Sequence, residues 1–255
     1  MTCLNISRSI TLAIAIGAAG LLAAPAQALT ITTAEGLGAD AFVQGSPNNQ
    51  NFGNTGTIVL KNGPTADNFA RKGYVRFDLA STNGVALAEA MLSFTVATNN
   101  TPNTFTVEVL GLDDGHAGEF WVEGNGGADD NPVNEITWAN APANNTGSGI
   151  NLINADVTSL GTITILSTDV PGTVVSLSSA ALLSFLNADT NGVATLVLRR
   201  IGTNAGGSPN LVFHSHESTT GGAPTLALTV VPEPATAMLG LVGAAGLARR
   251  RRPLA

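Results

Sequence analysis

Short β-forming runs separated by Gly, Asn, Pro and Asp fill the chain between Leu29 and Val231. Within Gly73–Leu79, and from Thr104 to Val109, apolar and polar side chains alternate, so each run predicts a strand with one buried and one wet face. About ten such runs at this spacing predict an all-β fold, an antiparallel β-sandwich of jelly-roll type. The predicted strands are Asp40–Val43, Ile58–Lys61, Gly73–Leu79, Ala90–Ala97, Phe105–Leu112, Thr162–Leu166, Thr173–Leu177, Val193–Ile201, Leu211–His216 and Thr225–Val231.

One short helix is predicted to interrupt the strands. Ser178 can cap a run that places Leu182, Leu183 and Leu186 on one face, and the residues from Asn187 to Gly192 end it. This helix is expected to cover the end or an edge of the sandwich.

The N-terminal segment has the three parts of a secretory signal peptide. Arg8 precedes the apolar run Ile10–Leu22, and Ala26 and Ala28 form an A-x-A cleavage site. We therefore expect residues 1–28 to be a signal helix that signal peptidase removes after Ala28. A buried N-terminal helix is the alternative.

The C-terminal segment predicts a stalled membrane insertion. Pro232, Glu233 and Pro234 precede the apolar run Ala235–Ala248, and Arg249, Arg250, Arg251 and Arg252 follow it directly. Clustered arginines stay cytoplasmic, and their long side chains can extend a short apolar helix to the interface. Residues 232–255 are therefore expected to hold a transmembrane helix. A plain C-terminal anchor is the alternative.

The predicted mature domain, residues 29–231, is strongly acidic. It holds six Lys and Arg against seventeen Asp and Glu, a net charge of −11. Nucleic acid binding needs clustered cations, so nucleic acid is excluded as a partner. The one cysteine, Cys3, lies in the predicted leader, which leaves the mature domain without a disulfide or a thiolate site.

The order of Pro-Glu-Pro, apolar span and arginine cluster resembles the PEP-CTERM sorting signal. That resemblance implies that an exosortase, a membrane protease-transpeptidase, recognises Pro232–Pro234 and cuts there. It also implies transient insertion in the inner membrane, followed by release to the cell surface or the extracellular matrix. The two prolines keep the tripeptide extended, as a protease requires.

The globular part resembles the DNRLRE domain, a β-sandwich classed among carbohydrate-binding modules. The likeness is carried by Ala39–Val43 with Asn51–Gly53, Ile58–Asn62, Gly73–Leu79, Trp121–Gly124, Ile136–Pro142, Val212–Glu217 and Ala223–Leu226. The segments 124–136 and 144–174 are longer than the family pattern. The resemblance implies polysaccharide binding.

A basic and aromatic patch on an acidic domain would suit an acidic extracellular polysaccharide, because Arg pairs bidentately with carboxylates. Tyr74 and Arg76 share the predicted wet face of one strand, and Lys61 ends another, so these three are the candidate binding residues. Pairing of Arg76 with Asp78 is the alternative. Trp121 and Trp138 are expected to pack in the core rather than to form a sugar platform.

No metal and no cofactor is predicted. His214 and His216 lie two apart on a predicted strand and could hold a metal with Glu217 or His116, but Glu217 is expected on the opposite face, so a solvated pair is favoured. Calcium could be bound by loop carboxylates, but their spacing matches no defined loop, and turn residues are favoured. These carboxylates belong to Asp113–Asp114 and Asp129–Asn131.

No catalytic motif is present: the chain lacks G-x-S-x-G, HExxH, a phosphate loop and a dinucleotide fingerprint. The sequence therefore predicts a non-catalytic surface or matrix protein that binds extracellular polysaccharide. A structural or adhesive surface protein without a sugar site is the first alternative. A polysaccharide-degrading enzyme is the second, because the separation of two catalytic carboxylates is not visible in a sequence.

Overall fold

The computed structural model describes residues 26–46, 50–63, 69–98, 103–124, 134–202 and 209–231. Residues Ala26–Val231 form one compact unit. The predicted apolar leader and the predicted sorting tail, with Pro232, Glu233, Pro234 and Arg249–Arg252, lie outside the described residues. No helix among the described residues is long and apolar enough to cross a membrane.

Within the described residues, β-strands dominate and one α-helix occurs. The elements are β1 (Gln27–Thr32), β2 (Ala39–Gln44), β3 (Thr57–Leu60), β4 (Arg71–Asp78), β5 (Leu87–Thr95), β6 (Phe105–Leu112), β7 (Val157–Ile165), β8 (Val174–Leu177), α1 (Ala180–Ala188), β9 (Val193–Ile201), β10 (Leu211–His214) and β11 (Thr225–Val230).

The strands form two facing antiparallel sheets. One has the order β1-β11-β5-β8 and the other the order β2-β4-β9-β6-β7. The pair β3 and β10 bridges them, because Val96 pairs with Phe213 after β5 and Lys61 pairs with Arg71 at the start of β4. The predicted all-β antiparallel sandwich with one short helix is confirmed.

The main core lies between the two sheets. Phe77 and Leu196 from one sheet and Leu92 and Phe94 from the other are fully buried in it. Phe94 stacks on Phe213 at 5.1 Å between ring centroids. With no disulfide predicted, burial of this apolar surface is the main source of stability.

A second apolar layer covers the outer face of the five-stranded sheet. It is built by residues 113–124 and 134–156, called here the covering segment, which runs from β6 to β7. Trp121 and Trp138 of this segment pack against Tyr74 of β4 and Val197 of β9. The face that alternation predicted to be wet is therefore buried.

Helix α1 begins one residue later than predicted. Ser179, not Ser178, is the N-cap, and its side-chain oxygen accepts a hydrogen bond from the Leu182 amide at 3.0 Å. The helix packs against β5 and β7. Phe185 of the helix lies directly over Gly111 of β6. A Cβ on Gly111 would lie 2.4 Å from the Phe185 ring, so no larger residue fits there.

The first strand, β1, was not predicted. Gln27 and Ala28 open it and pair with Val230 and Thr229 of β11. The predicted cleavage site, with Ala26 and Ala28, thus lies at the start of an edge strand. Cleavage after Ala28 would leave the pairing from Leu29 to Thr32 in place.

Candidate functional site

Tyr74 and Arg76 do not lie on a solvent-exposed face, so that expectation is wrong. Tyr74 is 0% exposed and donates a hydrogen bond to the Pro142 carbonyl at 3.1 Å. Arg76 is 9% exposed and donates to the carbonyls of Leu37 and Trp121, each at 2.6 Å. Arg76 therefore fastens the covering segment to β4 instead of pairing with Asp78.

The expectation that the two tryptophans pack is confirmed. Trp121 and Trp138 are buried in the layer under the covering segment. Lys72 lies against Trp138, with its ammonium nitrogen 4.3 Å from the ring centroid, and donates hydrogen bonds to Asn144 Oδ1 and the Asn151 carbonyl. Burial, with a smaller effect of Arg199, lowers the pKa of Lys72 to about 7.

A basic and aromatic patch does form, but from a different set of residues. Lys61, Phe69 and Arg71, called here the basic edge patch, meet where β3 leads to β4. Phe69 is 46% exposed, and the Lys61 ammonium lies 5.6 Å from its ring centroid. Arg71 is oriented by hydrogen bonds from its guanidinium to Gln44 Oε1 at 2.6 Å and to Asn210 Oδ1 at 2.8 Å.

The basic edge patch has a concentrated positive charge. The pKa of Lys61 is lowered first by burial and then by the neighbouring charges of Arg71 and Arg200. Among the described residues, no carboxylate lies within ion-pair distance of Lys61 or Arg71. Like charges held this close attract an anion that can neutralise them. Of the three predicted binding residues, only Lys61 belongs to this patch.

Three acidic side chains and a histidine meet on another part of the domain, between the start of β2, the covering segment and the chain after β10. We call Asp40, Glu123, His216 and Glu217 the carboxylate cluster. His216 Nδ1 lies 3.2 Å from Asp40 Oδ2 and 3.5 Å from Glu123 Oε1, and its Nε2 lies 2.7 Å from Glu217 Oε1. This set is one that could hold a metal ion.

Protonation in the carboxylate cluster follows from these contacts. Hydrogen bonds to Asp40 and then to Glu217 raise the pKa of His216 to about 10, so the imidazole is cationic near neutral pH. Burial raises the pKa of Glu123 to about 8. One histidine cation thus lies among three acidic groups.

The predicted histidine pair is not formed. His214 ends β10 and contacts Ser218 Oγ at 2.7 Å, whereas His216 lies beyond the strand in the carboxylate cluster. Glu217 contacts His216 directly, so its expected position on the opposite face is wrong. His116 lies elsewhere, 3.8 Å from Asp156.

A second acidic cluster lies beyond the far end of β6. Asp114, Glu119 and Asp189 meet there. Donors of the chain already occupy these carboxylates: Asn191 and the Gly115 amide donate to Glu119, and Thr190 donates to Asp114. Asp129–Asn131, the other predicted acidic stretch, lies outside the described residues.

Sequence reasoning missed the carboxylate cluster as a unit, although a signal was present. Asp40, Glu123 and the His216-Glu217 pair each lie in one of the stretches that carry the DNRLRE resemblance. Each stretch therefore combines framework residues with one acidic position. What the sequence could not show is that Asp40 and His216, which are 176 positions apart, meet.

The two packed antiparallel sheets place the domain among the β-sandwich folds, a class that includes many lectin domains. Within that class, the model of carbohydrate-binding module family 96 matches residues 32–230. The chain belongs to this family. Carbohydrate-binding modules are non-catalytic domains, and family membership suggests carbohydrate binding.

No curated protein matches the chain. A chain from the solved structure of Cocksfoot mottle virus is similar at 14% sequence identity, over 92% of this chain and 99% of that chain, with a TM-score of 0.18. A score that low says nothing about fold or function.

Proposed function

We propose that the domain binds an acidic extracellular polysaccharide at the basic edge patch, as a non-catalytic surface or matrix protein. The observation that carries the proposal is the exposed Phe69 ring beside Lys61 and Arg71, two cations with no described carboxylate partner. Membership in a carbohydrate-binding module family supports the same ligand class.

The chemistry of the patch fits a chain of uronic acids. The Arg71 guanidinium can donate two parallel hydrogen bonds to one carboxylate, and its orientation is already fixed by Gln44 and Asn210. The Lys61 ammonium can neutralise a neighbouring carboxylate. The electron-rich face of the Phe69 ring offers an apolar platform for the C–H face of a sugar.

Affinity gel electrophoresis tests the proposal with polygalacturonate as the acidic polymer and dextran as the neutral one. The protein is expected to be retarded only in the polygalacturonate gel. Phe69→Ala should weaken retardation about 5- to 10-fold, because the platform is lost, while Phe69→Tyr should retain it. Phe120→Ala is the matched control, since Phe120 is an aromatic side chain that is 56% exposed elsewhere on the domain.

Equal mobility in both gels would favour the alternative, a structural or adhesive protein without a sugar site. Equal weakening by Phe120→Ala and Phe69→Ala would contradict the location of the site. Release of reducing ends from the polymer during the assay would instead favour the degrading enzyme.

We further propose that the chain is exported, pauses in the inner membrane and is processed by an exosortase at Pro232–Pro234. The order of Pro-Glu-Pro, apolar run and arginines in the sequence supports this proposal. A proline on each side of Glu233 favours an extended backbone there, which is the form that a protease binds.

Replacing Glu233 with Ala tests the processing step in cells of the native host. The variant should accumulate in the membrane fraction with its tail intact, while the unmodified chain is released. The readout is an immunoblot of the fractions with an epitope placed after Ala255. Unchanged processing of the variant would show that the tripeptide is not what the protease recognises.

A further inference from the structure

The carboxylate cluster contains acidic oxygens that the protein leaves unpaired. Asp40 has a fully buried side chain, 0% exposed, and its Oδ1 receives no hydrogen bond from the described residues. Glu217 Oε2 is buried and unpaired in the same way. Burying a carboxylate oxygen without a hydrogen-bond donor costs folding free energy. These two oxygens therefore indicate a cationic ligand that binds to them.

The spacing in the cluster is that of ligands around one ion. One ligand atom from each of Asp40, Glu123, His216 and Glu217 lies within 4.8 Å of all the others. Two oxygens bound to the same Ca²⁺ at about 2.3–2.6 Å each can be at most about 5 Å apart. The four side chains are therefore close enough to share a single ion.

The kind of donor selects the kind of ion. Three of the four groups offer carboxylate oxygens, which are the ligands of hard cations. Both nitrogens of His216 already face carboxylates, Nδ1 towards Asp40 and Nε2 towards Glu217. With both ring nitrogens in contact with carboxylate oxygens, His216 has no nitrogen free to bind a transition metal.

The geometry points to a calcium-binding site formed by the carboxylates of Asp40, Glu123 and Glu217, with His216 beside them. The Asp40 carboxylate is held in place by a hydrogen bond from Thr33 Oγ1 at 2.6 Å and by one from the His216 amide at 3.0 Å. Glu123 Oε1 accepts a hydrogen bond from the Asp40 amide at 2.7 Å. The site is thus largely preformed.

The second acidic cluster differs from the carboxylate cluster in how its oxygens are hydrogen-bonded. Asp114, Glu119 and Asp189 also lie close together, but no oxygen of theirs is buried and unpaired in the described structure. Donors of the chain stabilise these carboxylates without an ion. Because donors of the chain stabilise it, the second acidic cluster serves as a matched control.

A bound calcium ion would tie three segments together. Asp40 lies on β2, Glu123 on the covering segment and Glu217 after β10, so the ion would fasten the covering segment to the sandwich. An ion that binds only the folded chain raises its stability by mass action. The predicted effect is a structural one, separate from the basic edge patch.

Isothermal titration of CaCl2 into the EDTA-treated full chain tests the site, together with thermal unfolding. We expect saturable binding and a rise in Tm of about 5–10 °C at about one hundred times Kd. Glu217→Gln should weaken binding at least about tenfold and Asp40→Asn should abolish it, because each removes an unpaired carboxylate oxygen. Asp114→Asn, in the second cluster, should leave binding unchanged.

The result that would overturn the proposal is a Kd for CaCl2 weaker than about 1 mM in the folded protein. Binding of ZnCl2 but not CaCl2, with loss of Zn²⁺ in His216→Gln, would also overturn it, because His216 would then be the principal ligand. Glu217 is partly exposed, so Glu217→Gln remains informative if Asp40→Asn fails to fold.

Discussion

Lys72 is a buried cation whose charge the fold disfavours. Its ammonium lies over the Trp138 ring, and its pKa falls to about 7 mainly through burial. In the unfolded chain the same group titrates near its usual value of 10.5. Between these two values the unfolded chain binds a proton that the folded chain has lost, so unfolding becomes less favourable as pH rises.

The comparison of the native chain with Lys72→Met tests this directly. The native chain should gain stability relative to Lys72→Met by roughly 2 kcal/mol between about pH 7 and about pH 9, because Met has no titrating group. Urea unfolding at both pH values gives the difference in unfolding free energy between the two proteins. Contributions from titrating groups that both proteins share cancel in this difference. If the difference in unfolding free energy between the two proteins did not change with pH, a lowered pKa for Lys72 would be contradicted.

At the level of single residues, the sequence predicted the packing of the tryptophans but not the burial of Tyr74 and Arg76. Alternation along β4 correctly separates the two faces of the strand. It cannot show that a remote part of the chain, the covering segment, lies over the outer face. Covering of a sheet face is a tertiary property, and the sequence before Ile136 has no periodic hydrophobic pattern that would indicate it.

The stability of helix α1 depends on its N-cap residue, Ser179. Ser179 accepts from the Leu182 amide and also donates to the Leu160 carbonyl at 2.6 Å, so it joins the helix to β7. Ser178 instead donates to the Ala90 carbonyl. The neighbouring serines thus have different roles.

Ser179→Ala should destabilise the domain by about 1–2 kcal/mol and speed hydrogen exchange of the Leu182 amide, because the cap is lost. Ser178→Ala is the matched control and should leave the exchange of that amide unchanged. Native-state hydrogen exchange by NMR measures both. Faster exchange of the Leu182 amide in Ser178→Ala alone would show that the cap is misassigned.

Most strands follow from the sequence because local patterns define them. The bounds of β6 and β9 match the predicted ones, since alternating β-branched residues end at clear turn residues there. The first strand was missed because Gln27 and Ala28 also belong to a cleavage motif. Edge strands pair on one side only, and their sequence signal is correspondingly weak.

Among the described residues, side chains of opposite charge lie near the two ends of β6. Arg200, whose charge lowers the pKa of Lys61, lies over the Phe105 ring where β6 begins, whereas Asp114 of the second acidic cluster follows the other end of β6. Eight residues of strand span about 27 Å. That distance exceeds two Debye lengths at about 0.15 M salt. The charges of the second acidic cluster are therefore screened at the basic edge patch, where the polymer is proposed to bind.

The most direct test of polysaccharide binding is isothermal titration of an oligogalacturonate at about 50 mM and about 300 mM NaCl. Binding should weaken as salt rises, because exposed charges are screened. Lys61→Gln should bind about 3- to 10-fold more weakly than the native chain at low salt. Arg199→Gln, which removes a cation paired with Glu108, should bind as the native chain does. Equal affinity of Lys61→Gln and the native chain at both salt concentrations would contradict the proposal.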